Sequence, residues 1–61
     1  MKVVVNGEER EVAEGLSVRG LLEELALGGG PVAVERNGEV VVRRLHAETV
    51  LGAGDRLEIV H

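Results

Sequence analysis

Residues 17–27 read SVRGLLEELAL and hold the one helical pattern around which the rest of the chain is arranged. Val18, Leu21, Leu22 and Leu25 fall at i, i+3, i+4 and i+7, one face of an α-helix, while Glu23 and Glu24 lie off that face. Ser17 is placed to cap the N-terminus, its hydroxyl accepting from an unpaired N–H of the first turn. Gly20 costs roughly 1 kcal/mol against Ala inside a helix, so packing has to sustain the element. Gly28-Gly29-Gly30 is expected to stop it, because glycine takes the left-handed conformation at helix C-termini without strain. The expected helix covers residues 17–27.

On either side of the helix the pattern changes to β. Upstream, KVVVN at 2–6 is rich in β-branched side chains and runs into Asn6-Gly7, a strong short-range hairpin signal. EEREV follows with Val12 as its apolar anchor, so residues 2–13 read as a hairpin. Downstream, PVAVERNGEVVV at 31–42 repeats the theme around Asn37-Gly38. An irregular stretch, RRLHAETVLGAG at 43–54, leads through a tight turn at Gly54-Asp55 into a last strand, RLEIVH. One helix on one face of a mixed sheet of about five strands is an α+β arrangement. Alternation along the strands points Val3, Val5, Val12, Val32, Val34, Val41, Leu57 and Ile59 at the helix. It leaves Val4, Ala33, Val40, Val42 and Val60 on the other face, among Lys2, Glu35 and Glu58, with His61 following.

Composition narrows the function. Residues 1–61 make one domain at most, with twelve Val, eight Leu, one Ile and no aromatic residue to build its core. There is no cysteine, which removes disulfides and thiolate metal sites and suits a reducing cytoplasm. The net charge is −4 with both signs interspersed, whereas a nucleic-acid binder clusters its basic residues and often adds stacking aromatics. No stretch approaches the ~20 apolar residues of a membrane span, and MKVVVNGEER is not a signal peptide.

Catalytic signals are weak. A phosphate-binding loop leads into a helix and is followed by Lys and Ser/Thr; here Gly28–Gly30 come after the helix and Pro31 follows. His46 and Glu48 in LHAET could suggest acid–base or metal chemistry, but a catalytic zinc takes three protein ligands and the other histidine is His61. His46 therefore reads as a solvated loop residue, and no catalytic, cofactor-binding or metal-binding residue is assigned. The outward face is different. It should be polar in a sheet covered on one side, yet half of it is apolar. Single exposed apolar residues are normal, whereas a contiguous patch marks a docking surface; composition alone leaves both readings open. The candidate docking residues are Val4, Ala33, Val40, Val42, Val60 and His61.

The order and spacing of VNGEER (5–10), VRGLLEEL (18–25), VAVERNGEVVVRRLHAETVL (32–51) and GDRLEIVH (54–61) resemble a known family. The arrangement resembles the β-grasp, or ubiquitin-like, fold, and within it the sequence is similar to the ThiS family, sulfur carriers of thiamin biosynthesis. The resemblance implies a non-catalytic carrier working in the cytoplasm as a monomer without a cofactor. It implies three partners: an E1-like enzyme that adenylates a C-terminal glycine, a cysteine desulfurase system that supplies sulfur, and a thiazole synthase that receives it from the thiocarboxylate. Family chemistry sits in a tail ending in Gly-Gly, whereas these residues end at His61, so such a tail is expected beyond it. A molybdopterin-synthase small subunit and a β-grasp interaction module are the alternatives. The former family runs longer and carries aromatic residues; a true lack of Gly-Gly would favour the latter.

Overall fold

A computed structural model of the chain describes all 61 residues. Asn6 and Gly7 both have left-handed backbone, with φ of 49° and 85°, and so do Asn37 and Gly38, at 52° and 85°. Two successive positive φ values make a type I′ turn, whose twist matches the strands it joins. Each turn therefore closes a hairpin: β1 (Lys2–Val5) with β2 (Glu8–Glu11), and β3 (Ala33–Arg36) with β4 (Glu39–Val40). The last strand, β5 (Arg56–Val60), lies between the hairpins, parallel to β1 and antiparallel to β3. The strand order is β2-β1-β5-β3-β4. With helix α1 (Val18–Glu24) packed on one face, this is the expected β-grasp architecture.

The core lies between helix and sheet. Val18, Leu21 and Leu22 of α1 form one buried cluster with Val3, Val12, Val34, Leu51, Leu57 and Ile59. Val5, Val32 and Val41 point the same way but are only half-buried at its margin. Leu51 comes from the irregular connection, which includes a short 3-10 helix at Arg43–Leu45. That connection is sewn to the start of α1: Val18 N–H donates to Thr49 O at 2.9 Å and Leu51 N–H to Leu16 O at 2.8 Å.

The helix begins as read and ends earlier. Ser17 Oγ accepts from Gly20 N–H at 3.0 Å. A Cβ on Gly20 would lie 2.6 Å from Leu16 Cδ1, so the bare glycine makes room for Leu16. The expected stop at Gly28–Gly30 is incorrect. Ala26, not a glycine, takes the left-handed conformation, with φ of 61°. Leu27 N–H bonds to Leu22 O at 2.8 Å and Ala26 N–H to Glu23 O at 3.0 Å, the two bonds of a Schellman C-cap. Early closure lets Leu27 turn back on the core beside Leu25, both half-buried against it. The strand expected through Val42 is also shorter: β4 ends at Val40, and Val42 opens the 3-10 helix.

Candidate functional site

The outer face can be read row by row from the strand registers. Ala33 of β3 lies directly opposite Val60 of β5, and Val60 is 68% exposed. Val41 N–H donates to Val34 O at 2.9 Å, carrying the β3–β4 register past the end of β4. One further place sets Val42, still extended at φ −64° and ψ 148°, across from Ala33. Val60, Ala33 and Val42 thus form a continuous exposed apolar row. The adjoining row is Glu58, Glu35 and Val40, each opposite the next, and Val40 is 69% exposed. Like charges facing one another on a sheet are destabilising, so packing does not account for Glu35 and Glu58.

Val4 does not belong to this group. It is half-buried and lies opposite Arg56, four places along β5 from Val60, or about 13 Å at ~3.3 Å per residue. His61 is exposed and follows Val60 directly. Five of the six candidate residues therefore gather at one end of the sheet, and Val4 stands apart.

The same end of the sheet holds a feature that sequence reading missed. Asn6 Oδ1 accepts from Ile59 N–H at 2.7 Å, and Asn6 Nδ2 donates to Ile59 O at 3.1 Å. At the opposite end of β5, Asn37 Oδ1 accepts from Arg56 N–H at 2.9 Å and Nδ2 donates to Asp55 Oδ1 at 3.0 Å. Each Asn-Gly turn thus sends its carboxamide sideways onto the last strand. The only sequence signal was the choice of Asn before Gly, which turn geometry alone already explains.

Two titratable side chains, His46 and Asp55, are buried and engaged in structure. His46 was expected to be a solvated loop residue; instead it is buried, with Nε2–H donating to Val41 O at 2.9 Å. Its own carbonyl accepts from Arg19 N–H at 2.9 Å, so it ties the 3-10 segment to the helix, while Glu48 is exposed. Burial alone pushes the Asp55 carboxyl upward, but donation from Gly52 N–H, Asn37 Nδ2 and Arg36, together with the guanidinium charge, holds it below the usual carboxylate range. Gly52 N–H and Arg36 Nε both reach Asp55 Oδ2 at 2.7 Å. The largest surface cleft, about 540 Å³, has Arg19, Arg43 and Arg44 on its rim beside His46. No three His, Asp or Glu side chains come together as a metal cage, and no helix is long and apolar enough to cross a membrane. What the surface offers is an exposed apolar row at one end of the sheet, with His61 exposed beside it.

Known proteins resemble this chain along nearly its whole length. A family model described as the ThiS family matches residues 3–61. A thiazole synthase of Paramagnetospirillum magneticum is 47% identical over 60 residues, covering 98% of this chain and 18% of that protein. A second, from Magnetococcus marinus, is 41% identical over 61 residues, covering 100% of this chain and 19% of its own length. The chain therefore spans less than a fifth of the curated relatives it matches. Among solved structures, the crystal structure of a thiamine biosynthesis protein (ThiS) from Geobacter metallireducens superposes with a TM-score of 0.88 at 38% identity, covering 100% of this chain and 93% of the other. A solution structure of a thiamine biosynthesis protein from the same organism gives 0.84 at 38% identity, covering 100% and 82%.

Proposed function

The chain belongs to the ThiS family, and from that premise we propose that it is a sulfur carrier for thiazole formation in thiamin biosynthesis. The observation that carries this reading is a family match running through the whole fold, residues 3–61. The proposed chemistry needs little from the folded body. An E1-like enzyme adenylates the carboxylate of a C-terminal glycine, releasing pyrophosphate from ATP. Persulfide sulfur from a cysteine desulfurase system then displaces AMP. A thiol reduces the resulting acyl disulfide to the thiocarboxylate and leaves as a disulfide, and the thiocarboxylate passes its sulfur to a thiazole synthase. The body has two tasks: to dock, and to hold the root of the arm that presents the carboxylate. It is a carrier and not an enzyme, and we assign it to the cytoplasm.

Docking falls to the row Val60, Ala33 and Val42, with Val40 and His61 beside it, because contiguous exposed apolar area favours a protein partner. Val4, opposite Arg56 and four places along β5 from Val60, lies outside this surface. The arm falls to residues beyond His61 that end in Gly-Gly. Glycine suits that place because a backbone without Cβ accepts whatever conformation a narrow channel imposes.

The test compares two polypeptides, one stopped at His61 and one continued to Gly-Gly. Both should bind the activating enzyme and compete with each other, since both present the same face. Only the longer one should support ATP–pyrophosphate exchange. A carboxylate on His61 stays at the edge of the sheet, and productive attack requires approach to ~3–3.5 Å. Exchange supported by the polypeptide that stops at His61 would overturn the reading.

A further inference from the structure

We propose that Asn6 is a positioning residue: its carboxamide completes the β1–β5 ladder at Ile59 and thereby fixes where the chain leaves the sheet on its way to the reacting terminus. The functional half of this proposal rests on the carrier reading above.

The ladder shows why a side chain is needed. Val4 N–H donates to Asp55 O at 2.8 Å and Asn6 N–H to Leu57 O at 2.9 Å, a step of two residues along each strand. The next place on β5 is Ile59, but β1 has already turned at Asn6-Gly7 and has no extended backbone to offer. Ile59 cannot turn to β3 instead. Val34, opposite it, directs its carbonyl to Val41 of the neighbouring segment, so the backbone groups of Ile59 face the β1 side. There the Asn6 carboxamide meets both, accepting at 2.7 Å and donating at 3.1 Å. A carboxamide holds one acceptor and two donors in a plane, which matches the N–H and C=O of a single strand residue. Asparagine also tolerates the φ of 49° that the turn imposes.

A single residue, Val60, separates Ile59 from His61. Beyond Ile59 the sheet offers the arm one more anchored place, the Val60–Ala33 pairing on the β3 side. Every residue released from the sheet has to be ordered again when the arm threads a partner's channel. Asn6 therefore acts after docking, by keeping the root of the arm ordered, while the docking row itself remains intact.

Asn37 provides the control, since its carboxamide accepts from Arg56 N–H at the other end of β5 while its Nδ2 donates to the Asp55 side chain. Asn6→Gly and Asn37→Gly each keep a residue at ease with positive φ in the turn and remove one carboxamide. In the full-length chain, we expect Asn6→Gly to speed hydrogen exchange at the Ile59 amide about tenfold or more. It should also lower kcat for ATP–pyrophosphate exchange by about tenfold or more, the scale on which small misplacements act, with KM for the carrier nearly unchanged. Asn37→Gly should leave both kcat and the Ile59 amide near their original values. Equal losses in the two variants would reduce Asn6 to a stability contact, and an unchanged Ile59 amide or kcat in Asn6→Gly would overturn the proposal. If the unsubstituted chain supports no pyrophosphate exchange, the carrier reading fails and takes the functional half with it. The Ile59 amide distinguishes that failure, because it reports the clamp without any partner.

Discussion

Ala26 sits at φ 61°, where a β-carbon costs about 1–2 kcal/mol and glycine meets no such clash. Ala26→Gly should therefore stabilise the fold by about 1 kcal/mol once the greater unfolded-state freedom of glycine is subtracted. In a domain of this size that raises Tm by about 4–8 °C; a lowered Tm would show that the strain is absent. Asp55 yields a second expectation. Its carboxyl is held below the usual carboxylate range, so it contributes stability above the unfolded pKa of about 3.9, and that contribution is lost as pH falls through the lower folded value. Asp55→Asn should cost about 1–3 kcal/mol near neutrality, and urea midpoints of the two proteins should converge below about pH 4. A gap that persists in acid would assign the effect to shape and not to charge. Sequence reading was good at this scale where the signal is local: the Ser17 cap and both Asn-Gly turns are as expected. It failed where a residue acts at long range. Asn6 reaches a residue 53 positions away, and His46 is buried by a 3-10 turn that no hydrophobic period announces.

The elements were legible because each rests on a repeating pattern. Heptad-like spacing put Val18, Leu21 and Leu22 inside, and all three are buried. Two-residue alternation assigned both faces of β3 and β5. Boundaries were harder, since they depend on hydrogen bonds that compete with the pattern. Three glycines looked like the helix stop, yet the Schellman bonds formed at Ala26 and Leu27 first. Likewise, Val41 and Val42 look like strand, but the 3-10 helix claims the chain immediately afterwards. Leu22 is nearly inaccessible, at 3%, and its removal opens a void that neighbours anchored in the sheet fill poorly. Leu22→Ala should cost about 2–5 kcal/mol, enough to unfold much of the population of so small a domain. A denaturation midpoint that does not move would mean that the helix presents a different face to the sheet.

For the whole molecule, the sequence yielded the architecture and the apolar character of the outer face, while register decided which of its residues meet. Period alone placed Val4 and Val60 on one surface; the parallel offset of β1 against β5 separates them. Val60→Asp should therefore weaken binding to both the activating enzyme and the thiazole synthase by about tenfold or more, as expected for a central apolar contact worth over 1 kcal/mol. Thermal stability should change little, because Val60 is exposed. Binding that survives while stability falls would make Val60 part of the fold and not of an interface. The central claim is that the chain carries sulfur on its C-terminus, and intact-mass spectrometry of the full-length protein tests it most directly. After incubation with the activating enzyme, ATP, a cysteine desulfurase, cysteine and a thiol reductant, the account predicts a mass gain equal to the exchange of one carboxylate oxygen for sulfur, located on a terminal glycine. An unchanged mass, alongside full binding of the activating enzyme, would contradict it.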